Sequence, residues 1–180
     1  ALQACYELGV MYKQSKDFTK AVTEFAKVVT DKTVDVSLRE SANFELGLTY
    51  YELHNFQNAS KYFENFIQTS PESERLNEAM LWAGKSQACT NNFKAALNWY
   101  DKILAVKKTD DISARAFIQA SYSAEKSGSI SLAIEYCKRF LQNFPNRSGI
   151  GEVSVRVADL LRIELKDYQQ AIKYYEETIH

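Results

Sequence analysis

Apolar positions recur along this chain at steps of three and four, in runs broken by short polar strings. Phe18, Val22, Phe25 and Val29 fall on one face of a helix, and Leu8, Tyr12 and Ser15 trace a stripe just before them. The string KQSKD separates the two, enough for a tight turn between antiparallel helices. ELHN, TNN, KSGS and ELKD provide equivalent breaks further on, and TDKTVDV, TSPES, KKTDD and NFPNRSG alternate with them as longer linkers. Pro71 and Pro145 hold matching places in those linkers, where proline stops the preceding helix from continuing.

The pattern repeats. ACYELG at Ala4 returns as ANFELG at Ala42, AMLWAG at Ala79, AFIQAS at Ala116 and VSVRVA at Val153, at spacings of 38, 37, 37 and 37 residues. A fixed period of this length marks a solenoid of stacked helix pairs. The expected architecture is all-α, a right-handed α-solenoid of about five repeats, over residues 2–39, 40–76, 77–113, 114–150 and 151–180. Gly9, Gly47, Gly84, Ser121 and Ala158 share one place in the first (A) helix of each repeat. Ala21, Ala59, Ala96, Ala133 and Ala171 share one in the second (B) helix. A helical Gly costs about 1 kcal/mol against Ala, so close approach of neighbouring helices is the expected compensation. Phe25, Phe63, Tyr100 and Tyr175 are placed to fill the space beside these contacts, with Cys137 the small exception.

A small residue in the A helix, Tyr three later (Tyr12, Tyr50), an aromatic six further on (Phe18, Phe56) and then xxAxxx-aromatic resembles the tetratricopeptide repeat. The resemblance runs over essentially the whole chain. The fourth and fifth repeats depart from it: Ala124 and Leu161 replace Tyr, Ile130 replaces the aromatic, and an extra residue precedes Tyr168. The long unit and the linkers Pro71-Glu72-Ser73 and Pro145-Asn146-Arg147-Ser148 resemble bacterial envelope members of that family, which favours a periplasmic or envelope setting over the cytoplasm.

The resemblance implies a non-enzymatic scaffold that binds a protein or peptide on the concave wall formed by the A helices. Candidate partner-binding residues are Tyr6, Val10 and Lys13 in the first repeat and Phe44, Leu48 and Tyr51 in the second. Trp82 and Lys85 follow in the third, with Leu81 beside them, then Ile118, Tyr122 and Glu125 in the fourth and Arg162 in the fifth. Aromatic anchors dominate many interfaces, which singles out Tyr6, Phe44, Tyr51, Trp82 and Tyr122. The family's carboxylate clamp for chaperone tails does not fit. In one frame it falls on Tyr6, Val10, Glu45, Glu78 and Trp82, with two acids where a carboxylate would sit. The alternative to a groove ligand is a structural spacer within a larger envelope complex.

Composition narrows the remaining classes. Of 180 residues, 46% are hydrophobic and 25% charged, with 6 Gly, 2 Pro and a net charge of -1, which gives no global field toward nucleic acid or an acidic membrane. No apolar run is long enough to insert in a bilayer. His54 and His180 have no nucleophile or carboxylate at motif spacing, and no Gly-rich loop cradles phosphate, so no catalytic residue and no cofactor are expected. Cys5, Cys89 and Cys137 lack metal-ligand spacing, so no metal is expected, and they read as small, semi-buried helix residues. Glu72, Glu74, Asp110 and Asp111 precede helices, where acids favour the positive end. Net charge per repeat runs +1, −4, +1, +3 and −2, which could orient a partner or simply mark solvated faces. The chain starts within a helical pattern and stops at YYEETIH, so the array is expected to belong to a longer protein or to self-associate through an uncapped end.

Overall fold

The computed structural model describes residues 1–179; His180, weighed above as a catalytic histidine, lies outside them. Among the described residues there are ten helices and no strands. They are α1 (Leu2–Gln14), α2 (Phe18–Thr30), α3 (Val36–Glu52), α4 (Phe56–Thr69), α5 (Leu76–Cys89), α6 (Phe93–Ala105), α7 (Asp111–Lys126), α8 (Ile130–Asn143), α9 (Ile150–Ile163) and α10 (Tyr168–Ile179). They group into two compact units, one of α1–α5 up to Asn92 and one of α6–α10 from Phe93 onward. The division falls inside the third predicted repeat.

Each A helix is followed by one residue with positive φ: Lys16 at 62°, His54 at 56°, Asn91 at 61°, Gly128 at 81° and Lys166 at 57°. In the first hairpin the Lys16 amide donates to the Lys13 carbonyl at 3.0 Å and the Asp17 amide to the Tyr12 carbonyl at 2.8 Å. This double closure of a helix C-terminus uses a left-handed residue to satisfy the last carbonyls. His54, Asn91 and Gly128 carry the same pair of bonds. The residue that completes each closure then opens the next helix. Asp17 accepts from the Lys20 amide and Asn55 from the Asn58 amide, both at 3.3 Å. The extra residue of the fifth repeat widens its turn, where the Asp167 amide reaches the Leu161 carbonyl at 2.9 Å. His54 is therefore a turn residue, its ring edge-on to Phe56.

Of the linker acids, Asp35 and Asp110 cap helices, whereas α5 opens on Arg75 without a side-chain cap. Asp35 caps α3 through the Ser37 amide at 2.9 Å, which draws Val36 out of the predicted linker and into the helix. Asp110 caps α7 through the Ser113 amide at 2.8 Å, and that bond holds its carboxyl below the usual carboxylate range against its own desolvation.

In the first unit α1, α3 and α5 touch one another in sequence, so the A helices form one layer, while α2 and α4 pack against them. The register between layers is set at glycine. A Cβ placed on Gly9 would lie 2.7 Å from Cε1 of Phe25, and one on Gly47 would lie 2.7 Å from Cε1 of Phe63. Both rings are fully buried. The compensation for helical glycine is thus a ring seated on bare backbone. It also corrects the first stripe: Leu8 and Ser15 are exposed, and the buried side of α1 is the Gly9 side.

The second unit replaces this lock. Ser121 and Cys137 stand where the first two repeats have Gly and Phe, and Ala158 and Tyr175 follow in the fifth. Elsewhere this unit is tied by the Tyr136 hydroxyl, which donates to Asp101 at 2.6 Å, and by an ion pair from Arg147 to Asp111. The Tyr136 phenol is pushed well up by burial and by that carboxylate.

Gly47→Ala should lower stability by about 1–2 kcal/mol, because ring displacement in a packed core outweighs the gain in helix propensity. Gly151→Ala, whose Cβ would meet only an ordinary 3.5 Å contact with Thr178, should be neutral or stabilising. Urea unfolding of the two variants beside the parent decides it. Equal effects of the two would refute the ring lock.

Candidate functional site

One contact recurs along the A helices. The residue four after the small place of one repeat meets the residue two before the small place of the next. In the first unit this makes an ion pair, Lys13 Nζ to Glu45 Oε2 at 2.7 Å, with both side chains at least three-quarters covered. One repeat later it makes an aromatic contact, Tyr51 against Trp82 with centroids 5.0 Å apart and planes at 68°. In the second unit the charges are reversed, Glu125 pairing with Arg156. Four predicted partner-binding residues, Lys13, Tyr51, Trp82 and Glu125, are thus engaged between repeats.

Around Trp82 the first unit builds an aromatic platform. The indole stacks on Phe63 at 6.3 Å and 15°, and the Lys85 ammonium lies 3.9 Å over it and 5.3 Å from the Tyr51 ring. The Tyr51 hydroxyl approaches the sulfur of Cys89 at 3.6 Å. Burial, with Cys89 beside it, holds the Tyr51 phenol far above its ordinary value. Trp82, Lys85 and Tyr51 all keep part of their surface in solvent.

The other predicted residues divide. Tyr6 is half-buried, tilted on Phe25 at 5.7 Å, and Val10 packs on the cluster of Ala21, Phe25 and Leu46. Leu48 and Ile118 are half-buried, and Arg162 is exposed, its Nε donating to the Tyr175 hydroxyl at 3.2 Å. Phe44 is a correction. It is 0% exposed, edge-on to Phe63 and Phe66 at 5.4 Å each, with the Arg75 guanidinium 3.5 Å over its ring. It is a core residue, and so is Leu81 beside Trp82. Phe44 lies on the side of α3 that faces α4. Of the cysteines, Cys5 is half-buried, Cys89 exposed and Cys137 buried.

Tyr122 stands apart. It is 47% exposed, and the Arg156 guanidinium lies 3.7 Å over its ring. Beside it a cavity of ≈ 190 Å³ opens between α7, α8 and α9, lined by Phe117, Ile118, Ser121, Cys137, Phe140 and Val153, with Tyr122, Arg156, Glu152 and Gly149 around it. Burial pushes the Cys137 thiol up, while Ser121 and Arg156 pull it down. No residue-by-residue reading pointed to this cavity. Its signal was present in the joint loss of glycine and ring at positions 121 and 137.

A second hollow of ≈ 230 Å³ adjoins it, sharing Tyr122, Glu152 and Arg156 and adding Glu125, Asp159 and Glu164. Asp159 accepts from the Tyr175 hydroxyl at 2.6 Å and pairs with Arg162 at 3.2 Å. Those two partners, Tyr175 foremost, hold its carboxyl below the usual range. Among the described residues no cluster of His, Cys, Asp or Glu is arranged to hold a metal, and no helix is long and apolar enough to cross a membrane.

Antiparallel helix hairpins with a small residue seated under a ring, stacked through a repeating A-helix contact, define a helical-repeat interaction protein. The tetratricopeptide repeat profile matches residues 2–30, 40–73 and 152–179, together about half the chain, and the chain belongs to that family. The chain is similar in fold to the crystal structure of MamA, with a TM-score of 0.79 at 18% identity over 95% of this chain and 92% of that one. A second MamA crystal structure gives a TM-score of 0.82 at 17% identity over 99% and 90%. MamA 41-end from Desulfovibrio magneticus RS-1 gives 0.78 at 13% over 99% and 93%. No curated protein matches the chain in sequence.

Phe44→Ala should cost about 3–5 kcal/mol of stability, as truncation of a core ring does. A cost below 1 kcal/mol in urea unfolding would return Phe44 to the surface. A double-mutant cycle of Lys13→Met with Glu45→Gln should give a coupling of about 1 kcal/mol, at the upper end for partly exposed pairs; no coupling would mean the two side chains do not meet in solution.

Proposed function

We propose that this chain binds a peptide or protein segment along its A-helix face. Tetratricopeptide repeats are in general interaction scaffolds that bind proteins or peptides, and membership in that family supports the reading. The finer reading rests on one observation above all. Tyr122, a large aromatic at a position predicted to face a ligand, stays 47% exposed beside an unfilled apolar cavity instead of packing away as Phe44 does. The Trp82–Lys85–Tyr51 platform supports the same reading in the first unit, because cation and rings are held together yet partly open to solvent.

Self-association is a second reading, favoured by α10. Tyr168 and Ile172 are 56% and 50% exposed, whereas the places matching Ile172 in α4 and α8, Ser60 and Ile134, are each 5% exposed. A hairpin from a second copy would cover such a face.

Proximity labelling with the parent and a Trp82→Leu, Tyr122→Ser variant tests the A-helix face. Loss of the labelled partners, at unchanged helical circular dichroism and urea midpoint, is the expected result. Partners retained in the variant would move the interaction to the B-helix face. Light scattering across concentration should show dimer formation that Ile172→Glu abolishes; a monomer throughout would remove the second reading.

A further inference from the structure

We infer that the cavity between α7, α8 and α9 is a socket for one aromatic side chain of the bound polypeptide, and that the adjoining hollow takes a basic side chain from the same segment. This rests on the A-helix-face reading and specifies its partner.

The first argument is internal to the chain. In the first two repeats the space over the small A-helix residue is filled by the chain's own ring, Phe25 on Gly9 and Phe63 on Gly47. In the fourth repeat Cys137 carries no ring to place there. Ser121 takes up only part of the space and turns its hydroxyl onto the Ile118 carbonyl at 2.8 Å. Beside Ser121 and Cys137 opens a space of ≈ 190 Å³ walled by Phe117, Phe140, Ile118 and Val153. An apolar cavity of about 150 Å³ stays dry and accepts benzene, so this one has room for a phenyl or indole ring.

The second argument is charge. Arg156 closes one side of the mouth but is committed: its Nε lies 3.3 Å from the Ser121 hydroxyl, and its Nη2 pairs with Glu125. In the adjoining hollow Asp159 is held by Arg162. Glu152 and Glu164 therefore line that hollow with no ion-pair partner among the described residues. Tyr122, Glu152 and Arg156 border both spaces, so a ring in the cavity sets its neighbouring residue beside Glu152, whereas Glu164 lies at the far end of α9. A Lys or Arg there meets complementary charge, and an Asp or Glu meets repulsion.

The test uses the full chain and two capped tetrapeptides, one with Trp followed by Lys and one with Ala followed by Lys, titrated while amide resonances are followed by NMR. The Trp peptide should shift the signals of Cys137, Phe140 and Val153 saturably, and the Ala peptide should bind at least tenfold more weakly. A Ser121→Gly, Cys137→Phe variant rebuilds the arrangement of the first two repeats and fills the socket from within. It should keep its helical content, unfold at no lower urea, and weaken the Trp peptide at least tenfold. Should that variant not fold, Cys137→Met fills the same space with a flexible chain and gives the same readout. Glu152→Gln should leave the ring contact intact and weaken the Trp–Lys peptide two- to fivefold, an effect that added salt suppresses in the parent.

Absence of saturable shifts, or equal affinity for both peptides, overturns the socket. So does a filled variant that binds the Trp peptide as the parent does. If the filled variant keeps the proximity-labelled partners that the Trp82→Leu, Tyr122→Ser variant loses, the socket falls while the A-helix face stands. If both variants keep them, both readings fall.

Discussion

The rings of Phe25 and Phe63 lie on the bare backbone of Gly9 and Gly47, closer than any side chain at those positions would allow. That contact fixes how near the two helices of a hairpin approach and their rotation about their own axes. Once the ring is seated, Phe44 must turn inward onto Phe63 and Phe66, and Trp82 is offered the outer side of Phe63 for stacking. The A-helix surface is what this packing leaves over. A buried aromatic of this size contributes roughly 1.5–3 kcal/mol through burial alone, enough to offset the unfavourable helical glycine beneath it.

Between repeats the constraint is geometric rather than chemical. One pair of places meets as Lys13–Glu45, as Tyr51–Trp82 and as Glu125–Arg156. A salt bridge, an edge-to-face ring contact and a reversed salt bridge serve the same spatial requirement. This tolerance explains how the A helices can vary freely in sequence while the stack persists. It also explains why charge counts per repeat are a poor guide to a partner. Glu45, in the most acidic repeat, is already paired with Lys13 of the repeat before it.

The period, the helix pairs and the small-residue places were legible in the chain because they depend on local spacing, which sequence carries directly. The left-handed turn residues were legible at Gly128 and Asn91 and hidden at Lys16, His54 and Lys166, where the closure of the helix end imposes φ on residues that do not prefer it. The candidate face was legible only in part. A helical wheel places Phe44 and Tyr6 at matching points, yet one is sealed in the core and the other half-buried, and only the neighbouring rings decide between them. The cavity was least legible of all. It is a property of two positions sixteen apart that changed together, and neither Ser121 nor Cys137 is unusual alone.

That joint change carries a physical implication. An apolar hollow of this kind forgoes packing contacts, and larger apolar side chains at such sites commonly stabilise a protein. The chain itself contains the remedy, twice, in the first two repeats. In the fourth, the unfilled space coincides with an exposed Tyr122, a committed Arg156 and a carboxylate, Glu152, that has no ion-pair partner among the described residues. Local rules are most often broken where function requires it. A repeat that gives up its own ring, just where its surface is aromatic and charged, has the form of a binding site made by subtraction, in which the partner completes the packing that the chain leaves open.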